Sequence, residues 1–392
     1  MGPGRVFFYV QHLLGIGHLK RAASLVRAMT RAGLEVTLVT GGVPVAGVVF
    51  DAARCVQLPP ASAADLSFRT LLDASGAPVD DAWKQRRQDL LLAAWRDADP
   101  HAVVIELFPF GRRQMRFELL PLLDAARAAA RQPLIVSSVR DVLGGGQADP
   151  SRQDQMLNTF ERYFDHVLVH GDAALIPFER TFRHASRLGA RLHYTGYVVG
   201  PGSELPAVAT PAQRAQGEVL VSVGGGAVGR QLLETAIAAR PLTCLRGHPW
   251  RLLAGVNASD ADMAHLGRLA GATPGVQVER HRVDFPQLMA RCRLSVSQGG
   301  YNTVMDILQA RTAAVVVPFS GGAEVEQSLR ARLLADKGWI ELVDEAALTP
   351  LVLAQAVDRA DARPPLTGVS VQLDGAHNSA ALLVRWIAER YA

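Results

Sequence analysis

Ser297-Gln298-Gly299-Gly300-Tyr301-Asn302-Thr303-Val304-Met305-Asp306 is the stretch that decides the reading, together with Val317-Pro318-Phe319 and Glu324-Val325-Glu326-Gln327 after it. It joins a short apolar run, Leu294 to Ser297, to a helical pattern from Asn302 to Ala310. Gly299 and Gly300 bring backbone amides to a helix start, where a diphosphate is stabilised. Asp306 lies one turn in, within reach of ribose hydroxyls. Glu326 and Gln327, beyond the next apolar run, suit paired hydrogen bonds to a hexose. Each piece alone is an ordinary loop or cap; their order is the specific signal.

Outward from it, short apolar runs alternate with longer helical patterns, which predicts an α/β fold of βαβ units and mostly parallel sheets. In the first half the expected strands are Arg5 to Val10, Glu35 to Thr40, Ala102 to Leu107, Leu134 to Ser138 and His166 to Val169. In the second they are Val219 to Val223, Pro241 to Leu245, Val276 to Glu279, Leu294 to Ser297 and Ala313 to Pro318. The Pro-rich stretch 200–217 predicts a linker. Two Rossmann-like domains are expected, 1–199 and 218–374, with a terminal helix, 375–392, that could cross back to the first. Ligands of such sheets sit at the carboxyl ends of strands, so chemistry is expected in a cleft between the domains.

Composition agrees with an enzyme-like globular protein. Of 392 residues, 49% are hydrophobic and 20% charged, far from disordered or fibrous classes. The net charge of +4 comes mainly from Arg, which suits anionic ligands. At 6% aromatic, without basic and stacking residues interleaved, nucleic acid is not an expected partner. Cys55, Cys244 and Cys292 have no metal or disulfide spacing and predict a reducing compartment. No apolar run approaches membrane-spanning length, so a cytoplasmic protein is expected, at most peripheral at the inner membrane face.

Further candidates lie at strand ends. Gly15-Ile16-Gly17-His18 opens a helix; His18 is either a base for an acceptor hydroxyl or a turn residue that caps or holds phosphate. Glu106, in Glu106-Leu107-Phe108-Pro109-Phe110-Gly111-Arg112, is a candidate orienter of His18 or the base itself, and Asp141 is a second candidate. Gly15, Gly17 and Arg112 are candidate acceptor contacts. Gly224-Gly225-Gly226 runs from a strand into a helix and fits a pyrophosphate; no acid ends the next expected strand, so a nicotinamide site is disfavoured. Arg246 could reach the same phosphates. The strings Asp97-x-Asp99 and Asp260-x-Asp262 read as solvated charge, so no metal is expected.

With these residues in order along nearly the whole chain, the sequence resembles glycosyltransferases of the GT-B fold, similar to the MurG-like group and more distantly to UDP-glycosyltransferases. The segment from Glu106 to Arg112 is similar to a bacterial set of predicted glycosyltransferases. The resemblance implies transfer of a hexose-type sugar from a nucleotide-sugar donor, UDP- or dTDP-linked, to an acceptor hydroxyl on a small molecule or lipid. Inversion without obligatory metal or cofactor is implied too. The ribose-binding acid then falls on Asp306, the sugar-binding pair on Glu326 and Gln327, and phosphate contacts on Gly299, Gly300 and Thr303, beside Gln298 and Asn302. Many relatives carry His where Gln298 stands, and the MurG-like turn is richer in glycine than Gly15 to His18. Alternatives of the same fold are a non-hydrolysing sugar-nucleotide epimerase and a non-catalytic sugar-nucleotide-binding protein.

Overall fold

The computed structural model describes residues 3–13, 17–45, 48–52, 54–64, 70–143, 149–200, 210–224, 229–319, 326–364 and 371–392. Two compact units divide the chain: Met1–Pro201 with Gln372–Ala392, and Gly202–Val371. The first runs β1 (Arg5–Val10), α1 (Gly17–Arg31), β2 (Glu35–Thr40), β3 (Arg54–Gln57), a hairpin of β4 (Ser62–Ala63) and β5 (Leu71–Leu72), α2 (Asp81–Ala98), β6 (Ala102–Glu106), α3 (Arg116–Ala128), β7 (Leu134–Arg140), α4 (Pro150–Tyr163), β8 (His166–His170), α5 (Ala185–Leu188) and β9 (Leu192–Tyr194). The second runs α6 (Pro211–Ala215), β10 (Val219–Ser222), α7 (Arg230–Ala239), β11 (Trp250–Leu253), α8 (Asp260–Gly271), β12 (Val276–Glu279), α9 (Phe285–Arg291), β13 (Leu294–Ser297), α10 (Tyr301–Ala310), β14 (Ala313–Val316), α11 (Glu326–Asp336), β15 (Glu341–Leu342) and α12 (Pro350–Ala362). The chain then returns to the first unit with α13 (Gly375–Tyr391).

Among the described residues the first unit holds a parallel seven-stranded sheet, β3-β2-β1-β6-β7-β8-β9, and the second a parallel six-stranded sheet, β12-β11-β10-β13-β14-β15. Central strands such as β6 and β13 are buried along their whole length, as expected of apolar runs covered on both faces by helices. Strand order reverses between β1 and β6 in one sheet and between β10 and β13 in the other. Loops leaving the carboxyl ends of those pairs diverge to opposite faces and leave a crevice, the usual ligand position of such sheets. The fold is thus the expected α/β architecture.

One expected strand departs from the sequence reading, and β3, β4, β5, β9 and β15 are not among the expected strands. The strand expected at Pro241 to Leu245 is 3-10 helix, Arg240–Leu242 and Cys244–Gly247, and the strand itself comes later, at Trp250–Leu253. Pro241 has no N–H for a ladder, the Thr243 hydroxyl accepts from the Leu245 amide at 3.1 Å, and the Cys244 amide is taken by Asp358 of α12 at 2.9 Å. The true strand ends in Leu253-Ala254-Gly255, again without an acid for a dinucleotide ribose. The terminal helix, expected at 375–392, runs Gly375–Tyr391 and belongs to the first unit. Its Ala380, Leu383, Trp386 and Ile387 are buried in one cluster with Val6, Leu19 and Val26 of β1 and α1. Each such large side chain contributes about 1.5–3 kcal/mol before the cost of ordering the helix.

Candidate functional site

Unit by unit, the sequence candidates gather at the two switch points. In the second unit Ser222 pairs in register with Ser297, so the loops after β10 and β13 leave the sheet side by side. The Gly224 amide donates to Gln298 Oε1 at 3.2 Å and ties the loops together. Gly299 has φ +69°, and a Cβ there would lie 2.4 Å from Val316 Cγ1, so only glycine fits. α10 then opens on Gly300 without a side-chain cap, presenting a positive helix end beside Asn302 and Thr303. Asp306 is half-buried in its second turn.

Gln327 Oε1 is buried and has no hydrogen-bond partner among the described residues. A buried amide oxygen without a partner costs about 1–3 kcal/mol, which a ligand hydroxyl would offset. Glu326 is buried and bonded to Arg330, both guanidinium Nη atoms lying 3.2 Å from its Oε1. Arg330 is wholly buried and stacks over the Tyr301 ring at 5.1 Å, linking α11 to α10. Sequence reasoning missed Arg330, although its i, i+4 spacing from Glu326 was a usable signal.

Arg246 is corrected by the fold. It sits, exposed, in the 3-10 turn before β11, at the amino end of the sheet, whereas Gly224 follows the carboxyl end of β10. It therefore cannot share phosphates with that loop. Gly225 and Gly226 lie outside the described residues, as does Gly15.

In the first unit Gly17 and His18 begin α1 after β1, and Glu106 is the last residue of the adjacent β6. His18 Nδ1 lies 2.7 Å from Glu106 Oε1, and Arg140 at the end of β7 donates Nη2 to His18 Nε2 at 2.9 Å. The Glu106 carboxylate can only accept and Arg140 only donate, which places the ring proton on Nδ1; Arg21 Nη2 also lies 3.0 Å from Nδ1, and with the proton there its own hydrogen goes to Glu106 Oε1. Arg21, one turn beyond His18, is ion-paired to Glu106 Oε1. Arg112 donates Nε to the Gln11 carbonyl at 2.7 Å and adds its charge to the group.

Burial, then Arg140 and Arg112, push the His18 pKa down to about 3 against the opposing pull of Glu106. For Glu106 burial opposes ionisation, but His18 and Arg21 prevail and hold the carboxyl well below its ordinary range. At neutral pH the group is one carboxylate, three guanidiniums and a neutral imidazole. Glu106 Oε2 and Arg21 Nε are buried without partners among the described residues. Such a group can orient an imidazole and attract an anion. Asp141 does not join it: its carboxylate accepts from the Val142 amide at 2.9 Å and the Tyr197 hydroxyl at 2.8 Å, tying the end of β7 to the segment after β9. Its proposed partnership with His18 is corrected accordingly. Sequence reasoning missed Arg21, although its i, i+3 spacing from His18 was an available signal.

The two Asp-x-Asp strings are surface ion pairs. Asp97 meets Arg54 at 3.4 Å, Asp99 meets Arg5 at 2.7 Å, Asp262 meets Arg230 at 3.3 Å, and Asp260 meets Arg280. Among the described residues no helix is long and apolar enough to cross a membrane.

Residues 220–367 match the glycosyltransferase family 28 C-terminal domain. The UDP-N-acetylglucosamine--N-acetylmuramyl-(pentapeptide) pyrophosphoryl-undecaprenol N-acetylglucosamine transferase of Bordetella pertussis is 32% identical over 161 residues, 39% of this chain and 43% of that protein. The chain thus spans less than half the length of this curated relative. The enzyme of the same name from Methylorubrum extorquens is 26% identical over 386 residues, 95% of both chains. The crystal structure of Acinetobacter baumannii MurG superposes with a TM-score of 0.62 at 16% identity, over 98% of this chain and 100% of that one, and the kitacinnamycin glycosyltransferase with a TM-score of 0.61 at 16% identity, over 99% and 96%. Fold, matched domain and relatives agree: the chain has the GT-B fold, matches the glycosyltransferase family 28 C-terminal domain over residues 220–367, and is similar to MurG-like glycosyltransferases.

Proposed function

We propose that this protein moves a hexose-type sugar from a nucleoside diphosphate donor to an acceptor hydroxyl, with inversion and without an obligatory metal. The acceptor oxygen bonds to the anomeric carbon as the bond from that carbon to the diphosphate oxygen breaks. The nucleoside diphosphate leaves with the electron pair, and the acceptor proton passes to His18 Nε2. Amides at the opening of α10 hold the leaving charge, as positive dipoles placed where charge develops, beside the loop that the Gly224–Gln298 bond ties in place. Asp306 binds the ribose; Gln327, with Glu326 set by Arg330, binds the sugar. The carrying observation is the convergence of Gly224, Gln298 and the uncapped α10 at one switch point, with Asp306 a turn away.

The relatives' names specify a UDP-sugar donor and an undecaprenol-linked acceptor. On that ground a UDP-linked donor, an amphiphilic acceptor and a place at the cytoplasmic face of the membrane are proposed here too. The test is titration with UDP, dTDP and their sugars. Asp306→Ala should weaken nucleotide binding by about 1.5–3 kcal/mol, roughly 10-fold to 150-fold. Gln327→Ala should weaken nucleotide-sugar binding and spare the bare diphosphate. Failure of every nucleotide to bind, or unchanged affinity in Asp306→Ala, rejects the assignment.

A further inference from the structure

At the amino end of the first sheet a cavity of about 400 Å³ opens between the carboxyl ends of α2 and α3. Pro100, in its wall, leads into β6, and Glu106 closes the far end of that strand, about 13 Å further along it. The cavity is therefore separate from the His18 group. We propose that it is a second ligand site, and that it takes a small carboxylate with an apolar body, distinct from donor and acceptor.

The walls decide the chemistry. The Trp95 ring, Pro100 and Ala129 supply apolar surface, and the volume suits a small organic molecule. The Trp95 indole N–H is shut off from solvent, yet it has no acceptor among the described residues. Buried donors are rarely left so, and a ligand oxygen would satisfy this one. Arg96, also in the wall, is exposed, and its guanidinium has no partner among the described residues. The Asp99 carboxylate is already engaged, by Arg5 at 2.7 Å and Arg131 at 3.1 Å. The Asp99 amide meets the Trp95 and Arg96 carbonyls at 3.2 and 3.3 Å, which tempers the negative end of α2. Free donors beside an engaged carboxylate are the complement of an oxyanion, and the planar Arg96 fork matches a carboxylate. The apolar walls favour an acid with a body over a bare inorganic anion.

Phenylacetate is the probe. In 15N-labelled protein the Trp95 indole N–H peak, identified by its loss in Trp95→Phe, should move downfield and saturate as phenylacetate is added, while the indole peaks of Trp83, Trp250, Trp339 and Trp386 stay fixed. Acetate should bind at least about tenfold more weakly for want of apolar contact. Phosphate at equal ionic strength should leave the peak in place. Arg96→Gln, a change at an exposed position, should weaken phenylacetate about tenfold, the hold of one charge-assisted hydrogen bond. A Trp95 peak that stays put or drifts without saturating, equal affinity in Arg96→Gln, or phosphate binding as tight as that of phenylacetate overturns the proposal. Loss of phenylacetate binding in His18→Ala overturns it too, by placing the probe in the transfer site. If Trp95→Phe does not fold, backbone assignment of Trp95 identifies the peak and the same outcomes decide.

Discussion

Glu106→Gln tests the first-unit site most directly. The substitution keeps the shape and removes the charge that faces Arg21 and Arg112 and accepts the His18 proton. Glu106 is wholly buried and the Arg21 side chain is 3% exposed, so solvent screens little of the loss. Breaking a buried pair by neutralising one partner costs about 3–5 kcal/mol. The pH dependence has a definite sign. The folded-state carboxyl is held below its ordinary value of 4.5, so the unfolded chain binds the proton first as pH falls. The wild-type advantage is therefore complete above that value and shrinks by about 1.4 kcal/mol per pH unit below it. Urea denaturation of both proteins at pH 7 and pH 3, with hydrogen exchange in β6 and α1 peptides to isolate the first unit, measures both quantities. A loss under about 1 kcal/mol at pH 7, or a difference that does not shrink at pH 3, would refute the buried charge pair.

Other consequences follow from the same geometry. Gly299→Ala places a methyl against Val316 in left-handed backbone; a strain of about 1–2 kcal/mol plus overpacking of about 1–3 should lower both stability and nucleotide affinity, read by denaturation and titration. His18→Ala should slow transfer roughly 100-fold to 10,000-fold with donor affinity unchanged, and an acid limb due to His18 should lie near pH 3 rather than 6.5, as a pH–rate profile would show. His166 stacks on Trp386 of α13 at 3.9 Å, with His193, Arg191 and Arg390 disfavouring its protonation, Asp165 favouring it and burial lowering its pKa to about 4. Stability of the α13 docking should then be full above about 6.5 and fall as pH drops toward 4, with exchange in α13 rising, a change that His166→Phe should blunt.

The sequence alone determined the α/β class and most strand positions, because short apolar runs buried on both faces leave a local pattern that tertiary context does not rewrite. It also placed Gly299, Gly300 and Asp306 at a turn into a helix, since a glycine turn of this kind is a local device carried by neighbours in the chain. It misplaced β11 by several residues, because Pro241-Leu242-Thr243-Cys244-Leu245 has strand-like composition while a proline, a threonine hydroxyl and the distant Asp358 compete for its backbone. That error carried Arg246 to the wrong end of the sheet. What only the tertiary structure decided are the partnerships: Arg140 on His18 across 122 positions, Tyr197 on Asp141 across 56, and Gly224 on Gln298 across 74. A side chain's partner depends on which strands lie adjacent and where each one ends, and sheet order is set by the packing of the whole unit, beyond the reach of any local stretch.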